Sequence, residues 1–248
     1  MNLAQRDQSD WPTPQDLPAF CADTVDVWRI VIPEIRRLLP RLWSHLDGGE
    51  RQRASRYHFQ RDRDAFVARH GVLRALLGAY LGVPPAALAF ELQPRGKPAL
   101  AASWQGAPVH FNLSSSGKLA LVAFSAAHSV GVDVQQVRAD TDYRSIAGRF
   151  LPSEEVALFD QLPPHQAIER FFRLWTRMEA CVKATGRGLE EAFGPAAAKP
   201  WCGEAGTVHP AGTFVVDLAP GEGYRAAVAA VGPVSHCRTW QCDPGRLE

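Results

Sequence analysis

The amino-acid sequence predicts an α+β fold in two lobes of similar size, and two observations lead to this prediction. Each half of the chain contains one long segment with the apolar spacing of a helix, at 61–82 and at 166–185. Short β-rich segments bounded by glycine and proline accompany each of these segments. The 248 residues, of which 46% are hydrophobic, are enough to form a substantial core. A long helix with several short strands in each half is typical of the α+β class.

In the first half, the sequence predicts three strands, one helix and one turn. The strand at Thr24–Ile32 is rich in β-branched residues and is stopped by a proline. The helix at Arg61–Gly82 has apolar residues at three- and four-residue intervals and ends at a glycine and a proline. Shorter strands are expected at Leu88–Leu92 and Val109–Leu113, and Arg95–Pro98 between them has the composition of a turn.

In the second half, helices are expected at Tyr143–Arg149 and Gln166–Thr185, with a third helix between them. Ser153 is a typical N-cap residue for this third helix. Glu154 and Glu155 would lie in its first turn, where acidic side chains stabilise a helix. Four β-rich segments predict strands at Leu119–Phe124, Val130–Val137, Thr213–Leu218 and Tyr224–Val231.

These elements divide the chain into three expected parts. Residues 1–23 are polar and contain three prolines, so we expect a flexible N-terminal lead-in. Residues 24–125 would form the first lobe, and residues 126–248 would form the second.

The composition excludes several classes of protein. A net charge of +1 argues against a nucleic-acid-binding protein, which needs an excess of basic residues. No apolar run approaches the ~18–20 residues of a membrane helix, and the polar N-terminus lacks the pattern of an export signal. An odd number of cysteines without a CxxC pair predicts reduced thiols and a cytoplasmic location. The five cysteines are Cys21, Cys181, Cys202, Cys237 and Cys242.

Asp133 and Gln135 lie two residues apart in the predicted strand Val130–Val137. Alternation would bury the intervening valines on one face and project both polar side chains from the other. Two oxygen-bearing side chains on a rigid strand can hold Mg²⁺, which keeps several waters and takes few protein ligands. The alternative interpretation is an ordinary amphipathic strand with a solvated polar face.

Trp175, Glu179 and Lys183 lie at four-residue intervals in the predicted helix Gln166–Thr185 and would form one stripe on its surface. A carboxylate and an ammonium on one rigid face could hold a metal and a phosphate together. Glutamate four residues before lysine is also the standard surface ion pair of helices, which leaves a purely structural interpretation open.

Two further segments have phosphate-binding chemistry. Phe111–Gly117 is a strand that runs into a turn of serine and glycine, whose amides and hydroxyls can surround a phosphate. An arginine-rich stretch precedes it and could bind phosphates or an acidic partner, or form a solvated helix face. Its arginines are Arg36, Arg37, Arg41, Arg51, Arg53, Arg56, Arg61, Arg63, Arg69 and Arg74.

Taken together and in this order, these segments resemble the 4′-phosphopantetheinyl transferases of the surfactin-synthetase-activating (Sfp) type. The family pattern has a basic first helix region, a GKP turn, an FNxSHSG-like loop, a GxDxE-like strand and a WxxKExxxKxxGxGL helix and loop. The resemblance covers about residues 24–231. The matching positions are Arg95–Pro98, Phe111–Gly117, Gly131–Gln135, Trp175–Lys183, Gly186, Gly188 and Leu189.

The resemblance implies an enzyme that moves the 4′-phosphopantetheine arm of coenzyme A to a serine of an apo acyl or peptidyl carrier protein, releasing adenosine 3′,5′-bisphosphate. It implies Mg²⁺ as the cofactor and a monomer as the active form. The family fold consists of two pseudo-symmetric lobes, each a small, mostly antiparallel sheet packed with a long helix. The first lobe would contact the nucleotide, and the second would carry the metal-binding and catalytic residues.

Carried over by position, the resemblance makes Asp133, Gln135 and Glu179 the expected Mg²⁺ ligands. Glu179 would also be the general base for the acceptor serine, directly or through a water. Lys183 would contact the phosphate and offset charge on the leaving bisphosphate. The expected contacts to coenzyme A are Arg53, Arg95, Lys97, Ser114, Ser115, Asp133 and Lys183, with Arg69 and Arg74 as further candidates.

Three positions depart from the family pattern. Gln135 stands where many relatives have glutamate, which removes one negative charge and predicts weaker Mg²⁺ binding. Ser115 replaces a histidine and removes a cationic phosphate donor. Met178 replaces a lysine beside Glu179. The carboxylates of Asp133 and Glu179 and the ammonium of Lys183 remain, so we expect an active enzyme.

Two other functions are compatible with the same residues. A catalytically silent homologue could bind coenzyme A or a carrier protein as a regulatory module. A Mg²⁺-dependent phosphohydrolase or nuclease could use the same carboxylates to activate water.

Overall fold

The computed structural model describes residues 10–104, 106, 108–193, 212–243 and 245. The helices are α1 Leu39–His45, α2 Gly48–Ser55, α3 Gln60–Leu81, α4 Tyr143–Phe150, α5 Ser153–Gln161, α6 Pro164–Thr185 and α7 Leu189–Phe193. The strands are β1 Thr24–Val31, β2 Phe90–Leu92, β3 Pro98–Leu100, β4 His110–Ser116, β5 Leu119–Ser125, β6 Val130–Gln136, β7 Thr213–Leu218, β8 Tyr224–Val231 and β9 His236–Gln241.

Two sheets are stacked between the two long helices. The first sheet has the strand order β4-β5-β1-β9, and the second has the order β6-β8-β7. Helix α3 covers the outer face of the first sheet, and α6 covers the outer face of the second. The fold is therefore α+β, as the sequence predicts, with small sheets that are antiparallel except for the β1–β9 pair.

Strand alternation explains the layers. In β1, Val25 and Val27 face the second sheet, whereas Trp28 and Ile30 face α3. Strand β5 is buried along its whole length because both of its faces are covered. The continuous apolar run at Leu119–Phe124 has this physical cause.

Helix α6 approaches β6 very closely at Gly131. A Cβ atom placed on Gly131 would lie 2.0 Å from the carbonyl oxygen of Ala180 and 2.4 Å from the amide nitrogen of Ala184. Only glycine leaves room for the helix backbone here. The close approach sets the distance between the side chains of α6 and those of β6.

A row of side-chain hydrogen bonds joins the two sheets along the free edge of β6. The side chains of Asn112, Ser114 and Ser116 alternate along β4 and point to the same side of the strand. They accept hydrogen bonds from the backbone N–H groups of Val132, Val134 and Gln136, at 2.9, 3.4 and 3.0 Å. We call this row the β4–β6 seam. It satisfies edge amides that would otherwise need water or another strand.

Several elements differ from the sequence prediction. Helix α5 begins at Ser153 itself, with Pro152 at the N-cap, so the expected capping role of Ser153 is wrong. Helix α2 was not predicted, although Asp47 and Glu50 form a reciprocal capping box at its start. The sequence patterns also do not predict α1, α7, β3 and β9.

The N-terminal segment packs against the protein where the structure describes it. Trp11 is buried between the sheets, and its indole N–H donates to the carbonyl oxygen of Ala219 at 2.8 Å. The Thr239 hydroxyl and the Gln241 amide donate to the carbonyls of Asp10 and Pro12. A buried tryptophan therefore anchors this part of the segment, for which the sequence predicts a flexible lead-in. Residues 1–9 of the expected lead-in lie outside the described residues.

Arg74 has a structural role, which corrects its candidacy for nucleotide binding. Its side chain is fully buried and forms ion pairs of 2.5 Å with Asp47 and Glu50. Its guanidinium also donates to the carbonyls of Pro85 and Leu88. A guanidinium with all of these partners and no exposed surface cannot reach a ligand.

Among the described residues, no helix is both long enough and apolar enough to cross a membrane.

The close approach at Gly131 predicts the effect of one substitution. We expect Gly131→Ala to lower the free energy of unfolding by about 1–3 kcal/mol or more, because the added methyl group overlaps the backbone of α6. The matched control is Gly148→Ala in α4, where no atom lies within 4 Å of the added Cβ. This control is expected to stabilise by about 0.5–1 kcal/mol through helix propensity. Urea unfolding of both variants tests the idea, and similar effects at the two positions would contradict it.

Candidate active site

Asp133 lies at the junction of the two sheets, where β6 meets α6. Its carboxylate is only 2% exposed. The Lys183 ammonium donates to Oδ1 of Asp133 at 2.6 Å, the Ser114 hydroxyl donates to the same oxygen at 2.8 Å, and the Gln135 amide donates to Oδ2 at 3.1 Å. Hydrogen bonds from both sheets and from α6 therefore fix the orientation of this buried carboxylate.

Lys183 bonds across to β6 rather than along its own helix. Besides Asp133, its ammonium contacts the Ser114 hydroxyl at 3.2 Å and the carbonyl oxygen of Val132 at 3.1 Å. The interpretation of Glu179 and Lys183 as an ordinary surface pair does not describe this geometry. Trp175, the third member of the stripe, packs in an aromatic cluster with Phe150 and Phe171.

Glu179 lies one turn before Lys183 in α6 and within electrostatic range of Asp133. Burial raises the pKa of Glu179, the negative charge of Asp133 raises it further, and the positive charge of Lys183 opposes both effects. The two carboxyl groups are therefore close enough to disfavour simultaneous ionisation. A cation between them would remove this penalty.

The residues present are compatible with a divalent cation. The site supplies the carboxylates of Asp133 and Glu179 and the side-chain amide of Gln135. The Lys183 ammonium already contacts Oδ1 of Asp133 and the Gln135 amide nitrogen contacts Oδ2, so a cation would replace one of these contacts. The described ranges contain no cluster of three or more His, Cys, Asp or Glu side chains that could hold a metal ion, so this site offers two carboxylates and not three. Two carboxylates and an amide oxygen suit Mg²⁺, which completes its octahedron with water or substrate oxygens.

Ser115 and Arg69 form a second polar contact on the opposite face of β4. Because consecutive residues of a strand alternate, Ser114 faces β6 while Ser115 faces α3. The Arg69 guanidinium donates to the Ser115 hydroxyl at 2.9 Å. Burial lowers the pKa of Arg69. Nearby, the guanidinium carbon of Arg53 lies 5.9 Å from the centre of the Phe66 ring.

Arg95 and Lys97 extend from the β2–β3 hairpin to the end of α6. Arg95 donates to the carbonyl oxygen of Gly186 at 3.0 Å and forms an exposed ion pair with Glu191 at 2.7 Å. Lys97 donates to the carbonyl oxygens of Val130 at 2.7 Å and Lys183 at 2.8 Å. Both residues therefore connect the first lobe to the second.

The predicted site residues fall into two groups in the structure. Asp133, Gln135, Lys183 and Ser114 form one hydrogen-bonded cluster, with Glu179 in electrostatic contact with it. Arg53, Ser115, Arg95 and Lys97 lie outside that hydrogen-bonded cluster. Sequence reasoning missed Asn112, which accepts from the Val132 amide at the start of the seam. The alternation of polar side chains along residues 112–116 was the signal that could have indicated it.

Comparisons with known proteins support the same family. A family model described as the 4′-phosphopantetheinyl transferase superfamily matches residues 129–228. A second model, described as the N-terminal part of 4′-phosphopantetheinyl transferases, matches residues 34–127. The two matches meet at the junction of the two sheets.

Three curated relatives have the same activity in their names. The 4′-phosphopantetheinyl transferase HetI of Nostoc sp. is 39% identical over 183 residues, which is 73% of this chain and 77% of the relative. The 4′-phosphopantetheinyl transferase of Bacillus subtilis is 26% identical over 60% of this chain and 64% of its own length. The 4′-phosphopantetheinyl transferase AcpT of Escherichia coli K12 is 37% identical over 46% of this chain and 55% of its own length.

The family model that matches residues 129–228 covers β6, which holds Asp133, and α6, which holds Glu179 and Lys183. HetI, whose name gives the same activity, is 39% identical to this chain over most of both sequences. The chain therefore belongs to the 4′-phosphopantetheinyl transferase superfamily and is an enzyme of that class.

Proposed function

We propose that the enzyme transfers the 4′-phosphopantetheine arm of coenzyme A to a serine of an apo acyl or peptidyl carrier protein. The products would be the holo carrier and adenosine 3′,5′-bisphosphate, and the reaction would depend on Mg²⁺. The observation that supports this proposal best is the cluster in which Lys183 contacts the buried carboxylate of Asp133 beside Glu179. The enzyme would act as a monomer in the cytoplasm, without nucleic acid.

The reaction moves one phosphoryl centre between two oxygens. The serine hydroxyl oxygen of the carrier attacks the phosphorus that bears the pantetheine arm, and the bond from that phosphorus to the bridging oxygen breaks. The bridging oxygen leaves on adenosine 3′,5′-bisphosphate, and the serine proton goes to a base. Such a transfer requires in-line placement and neutralisation of phosphate oxygens more than covalent help.

Glu179 would accept the serine proton, directly or through a water. Its raised pKa brings it nearer to the working pH, which makes a carboxylate a stronger base. Its position within the C-terminal third of a 22-residue helix packed on β6 and β8 holds the group rigidly.

Lys183 would stabilise the negative charge that develops as the bisphosphate leaves. The Lys183 side chain is 27% exposed. Its ammonium would exchange one of its longer contacts, to Ser114 at 3.2 Å or Val132 at 3.1 Å, for a phosphate oxygen while it stays on Asp133 at 2.6 Å. Asp133, Glu179 and Gln135 would hold the Mg²⁺ ion. When bound, Mg²⁺ would neutralise diphosphate oxygens.

The nucleotide would lie against the first lobe. Arg53 and Arg95 offer guanidinium groups, and the Ser115 hydroxyl next to Arg69 offers a hydrogen bond and a nearby positive charge. Arg69 therefore partly compensates for the histidine that this chain lacks at position 115. The Lys97 ammonium donates to the backbone carbonyls of Val130 and Lys183.

A mass-spectrometric transfer assay tests the proposed function. The protein is incubated with coenzyme A, Mg²⁺ and an apo carrier domain. We expect the mass of the carrier to increase by one pantetheine arm. Unmodified carrier together with measurable binding of coenzyme A would favour a silent homologue. Release of phosphate esters in the absence of carrier would favour a phosphohydrolase.

Glu179→Gln is expected to affect activity and stability in opposite directions. Transfer should fall by at least about 100-fold, because a positioned general base is lost. The metal-free variant should unfold at a higher temperature at neutral pH, since burial and Asp133 disfavour the ionised carboxylate in the folded state.

The stability effect of Glu179→Gln depends on pH. A folded-state pKa above the unfolded value means that the destabilisation by Glu179 develops as the pH rises above the ordinary carboxyl pKa. The stability gain of Glu179→Gln should therefore grow from acid to neutral pH. Thermal unfolding across this range measures it, and a gain that is largest in acid would contradict the assignment.

Gln135→Glu is expected to strengthen Mg²⁺ binding. The substitution adds a negative charge beside Asp133 and replaces an amide donor to that carboxylate. Without metal, the repulsion between the two carboxylates should lower the unfolding temperature. Calorimetric titration with Mg²⁺ measures the affinity, and an unchanged dissociation constant would show that Gln135 does not contribute to the metal site.

A further inference from the structure

The last carbonyl groups of α6 need hydrogen-bond donors from outside the helix. The last four carbonyl groups of any α-helix have no partner within it. In α6, the amide of Gly186 bonds back to the carbonyl oxygen of Val182, and Gly186 has a positive φ of 69°. The carbonyls of Lys183, Ala184 and Gly186 receive their hydrogen bonds from other elements.

The first lobe supplies two of these three bonds, and both donors are cations. Lys97 donates to the carbonyl oxygen of Lys183 at 2.8 Å, and Arg95 donates to that of Gly186 at 3.0 Å. Positive groups at this end also complement the helix dipole. The hydroxyl of Ser129, at the start of β6, donates to the carbonyl oxygen of Ala184 at 2.7 Å.

The ammonium of Lys97 is fully used by these contacts. It has three N–H donors, and three oxygens lie in hydrogen-bonding range, with Ser129 Oγ at 3.3 Å joining the carbonyls of Val130 and Lys183. Two of these three oxygens belong to β6 and its preceding residue, and the third belongs to α6. One side chain of the first lobe therefore joins the strand that carries Asp133 to the helix residue that carries the catalytic ammonium.

We propose that Lys97 is a positioning residue for the transfer reaction, and that it acts together with Ser129 by fixing the last turn of α6, and hence Lys183, against β6. This inference rests on the proposed function. It assigns Lys97 to the second lobe's catalytic geometry rather than to direct contact with the nucleotide. Burial, which lowers the pKa of Lys97 to about 8, is consistent with an ammonium enclosed by protein.

Steady-state kinetics of Lys97→Met separates the two roles. A lost positioning contact should lower kcat by about 10-fold or more, because small displacements of a catalytic group are costly, while the KM for coenzyme A stays within about twofold. A higher KM for coenzyme A with an unchanged kcat would overturn the proposal, since it would identify a nucleotide contact. The matched control is Lys118→Met, an exposed lysine in the β4–β5 turn, which should leave both constants unchanged.

Hydrogen exchange tests the physical basis without the reaction. In Lys97→Met, the amides of residues 183–187 should exchange faster, whereas those in the middle of α6 should not change. If the wild-type chain transfers no pantetheine arm, the proposed function fails, and this readout still tests the cap. Unchanged exchange at residues 183–187 would overturn the proposal.

Ser129→Ala provides a second variant in case Lys97→Met does not fold. It removes the cap on the carbonyl of Ala184 and one acceptor of Lys97, with no change in charge. We expect the same pattern with a smaller amplitude, a lower kcat and faster exchange at residues 183–187. A normal kcat together with normal exchange in Ser129→Ala would also overturn the proposal.

Discussion

The candidate active site depends on the close packing of α6 against β6. Because Gly131 has no side chain, the helix backbone lies against the strand, and Lys183 can reach the carboxylate of Asp133. A buried carboxylate without a partner would be costly, so the ammonium also stabilises the fold around it. The same contact buries Glu179, which raises the pKa of its carboxyl group, and brings it near Asp133, whose negative charge raises that pKa further. Packing, charge compensation and chemistry therefore depend on one helix–strand contact.

Different kinds of bond hold the elements around the candidate site together. Within each sheet, backbone hydrogen bonds fix the strands. Side-chain hydrogen bonds join the two stacked sheets at the β4–β6 seam. Arg95 and Lys97 join the β2–β3 hairpin to the end of α6. Ser114 belongs to both systems, because its hydroxyl accepts from the Val134 amide and donates to Asp133. A residue expected to bind phosphate thus also orients the central carboxylate.

Sequence reasoning recovered what depends on neighbouring residues. Helices α3 and α6 were predicted nearly to the residue, because each is long and has a regular apolar period. The residues of the central cluster came from strand alternation, helical spacing and a family resemblance. The roles of Arg74 and Lys97 could not be read in this way, since their partners lie in other elements. Strand β9 was not predicted for the same reason, because its partner strand β1 lies more than 200 residues away in the sequence.

The β4–β6 seam has an evolutionary consequence. A backbone ladder has the same donors and acceptors whatever the sequence, so point mutations hardly change its strength. The seam instead consists of one amide and two hydroxyls. Each can be lengthened, shortened or removed by a single codon change. Selection can therefore adjust the stiffness of the joint between the two sheets without rebuilding either sheet.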